Sequence, residues 1–166
     1  MEQAKSCLEK SYSISDSLHN MNLKCLALDK LIEVEEQLAP DTALKYAKAL
    51  VKMYDSTPNV SIYNKVAARL RLCDNFMFVD SLRQALCEGQ IALKLAMKDA
   101  DRNLYSFVCQ DLANVYEKVG EKDSCLFYAR QAYSLNGTDR LSCQLMLASA
   151  YISVDSIERA FAILKQ

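Results

Sequence analysis

Residues 112–125 read LANVYEKVGEKDSC, and residues 72–85, which lie 40 positions earlier, read LCDNFMFVDSLRQA. Few letters agree, but side chains of similar size stand at matching places, as aromatic Tyr116 and Phe76 do. A third copy of the pattern has its leucine at Leu147, 35 positions beyond the first residue of 112–125. Repeats of this length predict stacked supersecondary units, because one unit alone cannot bury its apolar face.

The units are predicted to be helical. Only three glycines and two prolines occur in 166 residues, which argues against many short strands joined by turns. Apolar residues recur with helical spacing, with capping residues between the runs, and Gly120 and Gly137 suit the left-handed position after a helix end. We predict about nine helices, over residues 2–17, 20–38, 41–54, 59–78, 81–98, 102–119, 122–135, 139–153 and 155–166.

The sizes of the repeated residues predict how two helices meet. Leu112, Ala113 and Tyr116 would form a ridge and a notch on one face of the first helix. Small residues such as Cys125 and Ala129 would flatten the facing side of the second helix. The two backbones can then approach closely, with the aromatic ring between them.

This pattern resembles the tetratricopeptide repeat (TPR), a helix-turn-helix unit of about 34 residues. Residues 106–139 match best, with the family's leucine as Leu112, its aromatic residue as Tyr116, its turn glycine as Gly120 and its late alanine as Ala132. The resemblance implies an all-α fold, a right-handed helical-hairpin solenoid or TPR-like superhelix. Related helical-hairpin solenoids remain an alternative.

The same resemblance implies one repeat domain over residues 1–166, with the register of the first 55 residues open. The predicted parts are a partial repeat at 2–17, hairpins at 20–54, 59–98 and 102–135, and a terminal hairpin, complete or truncated, at 139–166. A solenoid normally ends with a helix that is polar on its outer face. The last residues here, AFAILKQ, are mostly apolar. We expect either that the array is part of a longer protein or that the C-terminal helix packs in a homodimer.

Charge and motif content exclude several classes of protein. The formal net charge is −1 and the isoelectric point about 5.9, whereas nucleic-acid binders usually carry a basic patch. Hydrolase, metalloprotease, phosphate-loop and dinucleotide motifs are absent, and His19 is the only histidine. We predict no enzyme, no catalytic residue, no cofactor or metal site and no nucleic-acid partner. No apolar run reaches the roughly 20 residues of a membrane span.

Three other groups of residues are interpreted as structural. The seven cysteines contain no CxxC pair and are predicted to be small core residues. The basic stretch KVAARLR at 65–71 and the acidic stretch EVEE at 33–36 are both interpreted as solvated helix surface. Free thiols favour a reducing compartment, so the predicted location is cytoplasmic, with the periplasmic sensor domain of a membrane-anchored protein as the alternative.

The resemblance also implies a concave groove lined by the first helix of each hairpin. Such a groove suits an extended peptide or an amphipathic helix of a protein partner. The predicted groove residues are Arg71, Asp74, Met77, Phe78, Gln110, Asp111, Asn114, Lys118, Leu145, Met146 and Ser149.

The function predicted from this groove is a non-enzymatic protein-interaction module, the input or sensor part of a larger bacterial regulator. The alternatives are a receptor for a signalling peptide and a free-standing adaptor or scaffold that dimerises through its C-terminal helix.

Overall fold

The computed structural model describes residues 2–135 and 140–165, and in this part of the chain the regular structure is entirely helical. Nine α-helices follow one another through the described ranges. They are α1 (Glu2–Ser17), α2 (Met21–Leu38), α3 (Pro40–Ser56), α4 (Ile62–Phe78), α5 (Leu82–Ala96), α6 (Arg102–Val119), α7 (Lys122–Ser134), α8 (Arg140–Ser153) and α9 (Ile157–Leu164). The predicted all-α class is confirmed. The predicted turn at Gly137 lies outside the described residues, as does Asp139, the predicted start of the eighth helix.

One turn geometry recurs at equivalent places in the three repeats. Gly120, Asp80 and Asp155 have φ of 84°, 56° and 57°, the left-handed conformation that ends a helix. The next residue of each turn donates its N–H to the carbonyl oxygen of the repeat's aromatic residue at 2.8–3.0 Å. The pairs are Ser81 with Phe76, Glu121 with Tyr116, and Ser156 with Tyr151. The alignment by offsets of 40 and 35 residues therefore holds in the backbone.

Caps explain where helices begin somewhat later than predicted. α4 starts at Ile62 because the Ser61 side chain accepts the N–H of Asn64 at 3.2 Å, while Asn59 has a φ of 61° and cannot continue a helix. α2 starts at Met21 because the Asn20 side chain caps it. These shifts are small, and they leave the order of the helices unchanged.

Each helix packs against the next, and α4 also contacts α6 as α6 contacts α8. α4, α6 and α8 therefore form one continuous wall of the solenoid. The leucines of the pattern and its small residues fill the space between helices, as predicted. Buried members of the pattern are Leu72, Leu112, Leu147, Ala85, Cys125, Ala129, Ala132 and Ala160. The Tyr116 ring stacks on Tyr128 of α7, with centroids 5.4 Å apart and planes 7° from parallel.

The cysteines divide into two groups. Five are buried in the helical core, which confirms the prediction for them, whereas Cys7 and Cys87 are exposed, so for these two the prediction is wrong. All seven are free thiols. The buried ones are Cys25, Cys73, Cys109, Cys125 and Cys143, and burial raises the pKa of Cys109 to about 12. A buried thiol of this kind behaves as a small apolar residue rather than as a nucleophile.

Candidate partner-binding cleft

A cleft of about 900 Å³ opens between α2, α4 and α6, with the C-terminal half of α3 at its edge. Helices that stack with a small rotation per repeat leave such a concave surface. The cleft has apolar walls and charged groups at one end. Residues that line it include Leu26, Leu50, Leu70, Leu104, Phe107, Tyr54, Tyr63, Asn22, Asn64, Asp29, Arg71, Asp74 and Asp111.

Three aromatic rings belong to this lining, and they come from three helices. Tyr54 lies on α3, Tyr63 on α4 and Phe107 on α6. Tyr63 and Phe107 are exposed despite their size. Large exposed rings in a concave surface are the anchors on which binding sites usually rely.

Arg71 connects α4 to α2 by ion pairs at the charged end of the cleft. Its guanidinium nitrogens lie 3.4 Å from Asp29 Oδ1, 3.1 Å from Glu33 Oε1 and 3.8 Å from Glu36 Oε1. The interpretation of 65–71 as solvated surface is therefore wrong for Arg71, and it is also wrong for Arg69, whose side chain is 15% exposed and pairs with Asp55 and Glu88. Arg71 is paired because α4 contacts α2, about 40 residues earlier in the chain. Such long-range contacts cannot be predicted from the local sequence pattern.

The interpretation of EVEE as solvated surface is wrong as well. Glu33 and Glu36 pair with Arg71, and the Glu35 side chain is fully buried, with Oε1 2.5 Å from Nζ of Lys5 on α1. The helix turns by about 100° per residue, so Glu33 and Glu36, three residues apart, both face Arg71, whereas Glu35 faces α1.

Asp74 and Asp111 bring two further carboxyl groups to the cleft from α4 and α6. Burial raises the pKa of Asp74 to about 6; Arg71 opposes this shift and Glu36 adds to it. Burial also raises the pKa of Asp111 well above its usual range, with a further contribution from Asp74. A carboxylate that is shielded from water and close to another acid is unfavourable as an anion.

A second cavity of about 320 Å³ shares Arg71 and Asp74 with the first. It is lined in addition by Met77 and Phe78 at the end of α4, and by three residues of α6 together with Glu36 of α2. Those of α6 are Asn114, Glu117 and Lys118. The two cavities thus form one concave surface that crosses three helices.

The TPR-like architecture has counterparts among solved structures. A variant of a Podosopora anserina protein, described as a putative kinesin light chain with nearly identical TPR-like repeats, has a TM-score of 0.81 and 16% identity. That match covers 99% of this chain and 84% of the other. BtubC (BKLC) from P. vanneervenii has a TM-score of 0.76 and 15% identity, with 98% and 72% covered. The chain has a TPR-like fold. For MamA protein the TM-score is 0.64 and the identity 15%, and the match covers 99% of this TPR-like chain and 90% of MamA.

No family model matches the sequence, and no curated protein matches it either. At 15–16% identity, the similarity to these solved structures supports a conclusion about the fold only. Within residues 2–135 and 140–165, no helix is long and apolar enough to cross a membrane. No group of three side chains in those ranges is arranged to hold a metal ion.

Seven of the predicted groove residues line the concave cavities. Arg71 and Asp74 line both cavities, Asp111 lines the larger one, and the remaining four line the smaller one. These four are Met77, Phe78, Asn114 and Lys118.

The other four predicted residues lie elsewhere. Gln110 is only 9% exposed, and its Nε2 lies 2.5 Å from Cys143 Sγ. Leu145, Met146 and Ser149 belong to α8, outside both cavities. Met146 packs against the core formed with α7, Ser149 donates to Glu117 Oε1 at 3.1 Å, and Leu145 is exposed.

Sequence reasoning missed the residues of the cleft that come from α2 and α3, and also Tyr63 and Phe107. Leu26, Asp29 and Tyr54 were not identified because the repeat register of the first 55 residues was left open. Phe107 lies four residues before Asp111, on the same face of a helix, so helical spacing from the predicted position could have found it.

Proposed function

We propose that this TPR-like domain is a non-enzymatic protein-interaction module that binds an extended peptide or an amphipathic helix of a partner in its concave cleft. The observation that carries the proposal is the continuous concave surface formed by the two cavities, which share Arg71 and Asp74. Its volume suits several side chains of a partner segment, and its lining combines apolar walls with a few polar groups, as binding sites do.

Phe78 provides a specific anchor for such a partner. It is 56% exposed at the end of α4 and lines the smaller cavity. Asn114 lies in the same cavity on α6, where its amide can bond to the main chain of an extended segment. Aromatic side chains commonly contribute more binding energy than other residues of an interface.

A peptide-display selection tests the proposal, with random dodecapeptides panned against the intact domain. Enriched peptides are then measured by fluorescence anisotropy against two variants, Phe78→Ala and Phe127→Ala. Phe127 lies on α7 outside both cavities and is 55% exposed, so it matches Phe78 in type and exposure. We expect Phe78→Ala to weaken binding about tenfold or more, and Phe127→Ala to leave it unchanged. An absence of enriched peptides, or equal affinity in both variants, would overturn the proposal.

The finer role that we propose is the input part of a larger bacterial regulator, in which binding at the cleft is passed to an attached domain. It is supported by the resemblance of this degenerate array to those joined to bacterial transcription factors and histidine kinases. Sequencing the coding region on both sides of residues 1–166 tests it. A kinase or DNA-binding domain in the same reading frame supports the role, and a start codon at Met1 with a stop after Gln166 contradicts it.

A second candidate is a scaffold that dimerises through its C-terminal helix. The observation that favours it is an exposed apolar face on α9, where Phe161, Ile157 and Leu164 are 60%, 56% and 46% exposed. Burial of this face in a dimer would be favourable. Sedimentation equilibrium of the wild type and of Phe161→Asp checks it, and a wild type that stays monomeric at high concentration would eliminate it.

A further inference from the structure

We infer that the larger cavity selects partner segments that carry a lysine or arginine, whose charged end lies against the carboxyl groups of Asp74 and Asp111. The inference rests on the proposed function and adds the chemical class of the partner residue. It combines three observations: the sign of the charge at the cavity, two carboxyl groups without partners, and aromatic rings around the remaining space.

The charge of the lining is unbalanced. Among the described residues, three acidic ones line the larger cavity, Asp29, Asp74 and Asp111, and one basic residue, Arg71. The three ion pairs of Arg71 all go to α2, to Asp29, Glu33 and Glu36. The guanidinium is therefore held by the acids of α2, and it offsets the negative charge of Asp74 and Asp111 only in part and without pairing with them.

Asp74 and Asp111 are the carboxyl groups that remain. In the described part of the chain, neither accepts a hydrogen bond from a side chain or takes part in an ion pair with a lysine or arginine. Both are only partly exposed and both line the cavity, so a ligand in the cavity can reach them. A partner cation placed there would replace the missing counter-charge.

The burial of these two groups increases the electrostatic stabilisation that a bound cation would provide. Burial raises the pKa of both carboxyl groups, which means that their anionic forms are poorly solvated. An incoming ammonium or guanidinium group stabilises the anions in surroundings where few water molecules compete. A partner carboxylate at the same place would add repulsion, so the cavity also discriminates against acidic segments.

The aromatic rings favour an organic cation with a carbon chain. Tyr54, Tyr63 and Phe107 line the same cavity. Ring faces attract ammonium and guanidinium groups, and the methylene stem of lysine or arginine packs on apolar surface. A bare metal ion has no carbon chain to pack on the rings, and no three side chains of the described residues are arranged to hold one.

The test uses three dodecapeptide display libraries that differ only at one central position, fixed as arginine, glutamine or glutamate, and the other eleven positions are randomised without lysine and arginine. Each library is panned against the intact wild-type domain. Enriched peptides from the arginine library are measured by fluorescence anisotropy against the double variant Asp74→Asn/Asp111→Asn and against Asp123→Asn. Asp123 lies on α7, is exposed and lies outside both cavities, so it is the matched control for a lost surface charge.

We expect the arginine library to give binders and the glutamate library to give none. The double variant should weaken those binders about tenfold or more, while Asp123→Asn leaves their affinity unchanged. Exchange of the fixed arginine for citrulline, which is uncharged and nearly isosteric, should cause a similar loss.

Three outcomes would overturn the inference. Equal enrichment of the glutamine and arginine libraries, with binding that still depends on Phe78, would refute the cation while the proposed function stands. Unchanged affinity of the double variant for the arginine peptides would also refute the inference and leave the proposed function standing. No enrichment in any of the three libraries would refute the proposed function together with the inference.

Discussion

At the scale of single residues, Gly89 determines how closely α5 approaches α6. A Cβ at this position would lie 2.8 Å from Cδ2 and 3.4 Å from Cγ of Leu112, which is fully buried. Glycine in the interior of a helix costs about 1 kcal/mol relative to alanine. The close contact with Leu112 is the reason why the position is occupied by glycine, and it makes the two residues interdependent.

A double-mutant cycle on these two residues measures that dependence. Leu112→Ala should reduce the free energy of unfolding by about 2–5 kcal/mol, since it leaves a cavity in a packed core. Gly89→Ala added to Leu112→Ala should then stabilise the protein by roughly 1 kcal/mol, because the methyl group enters the space. In the wild-type background, Gly89→Ala should increase the free energy of unfolding by less than this or should decrease it. Urea denaturation of the four proteins checks this, and equal effects of Gly89→Ala in both backgrounds would contradict it.

At the scale of helices, α1 is attached differently from the others. Ser15 is the one residue that α1 buries, so apolar burial contributes little to holding it on α2. Two ion pairs join the two helices instead, Lys5 with the fully buried Glu35 and Asp16 with Lys24. Helices with few buried apolar contacts are the first to open locally.

Lys5→Met should therefore lower the melting temperature, because Glu35 would be left as a buried charge without a partner. Lys10→Met, a change at an exposed position of the same helix, should have no measurable effect. The double change Lys5→Met/Glu35→Leu should recover much of the lost stability, since an apolar pair needs no counter-charge. Thermal unfolding followed by circular dichroism measures all three. A double variant no more stable than Lys5→Met would contradict this explanation.

Some features of the helices could be predicted from the sequence, and others could not. Turns and core positions follow from the local order of residue sizes, so Gly120, Asp80 and Leu112 could be placed from the letters alone. The contacts of Arg71 with α2 could not, because they depend on how far one repeat is rotated against the next. Gln110 shows a similar limit, since its burial depends on Cys143 of another helix.

At the scale of the whole molecule, stacking brings acidic residues of three helices together in one cleft. Asp29 and Glu36 come from α2, Asp74 from α4 and Asp111 from α6, and Arg71 forms its ion pairs with the acids of α2. None of these helices carries the cluster by itself. The superhelix therefore creates both the proposed binding chemistry and a pair of carboxyl groups whose anionic forms are unfavourable because they are buried.

The burial of Asp74 and Asp111 predicts a stability that falls as the pH rises. The pKa of Asp74 is about 6 in the folded protein, and that of Asp111 is also raised, whereas both are near 3.9 in an unfolded chain. Between these values the folded state binds more protons than the unfolded state. The free energy of unfolding must then decrease as the pH rises through this window. We expect a loss on the order of 1–2 kcal/mol from pH 5 to pH 7.5, reduced from the full shift because the groups are partly exposed.

Urea denaturation at a series of pH values checks this expectation, with Asp74→Asn/Asp111→Asn as the comparison. The variant should be more stable than the wild type at pH 7.5 and should lose most of the dependence between pH 5 and pH 7.5. Asp16 does not interfere, because Lys24 lowers its pKa and its contribution is lost only at more acidic pH. Parallel pH profiles of the two proteins would show that the cleft carboxylates are not strained in the folded state, and a cation would then have little to relieve.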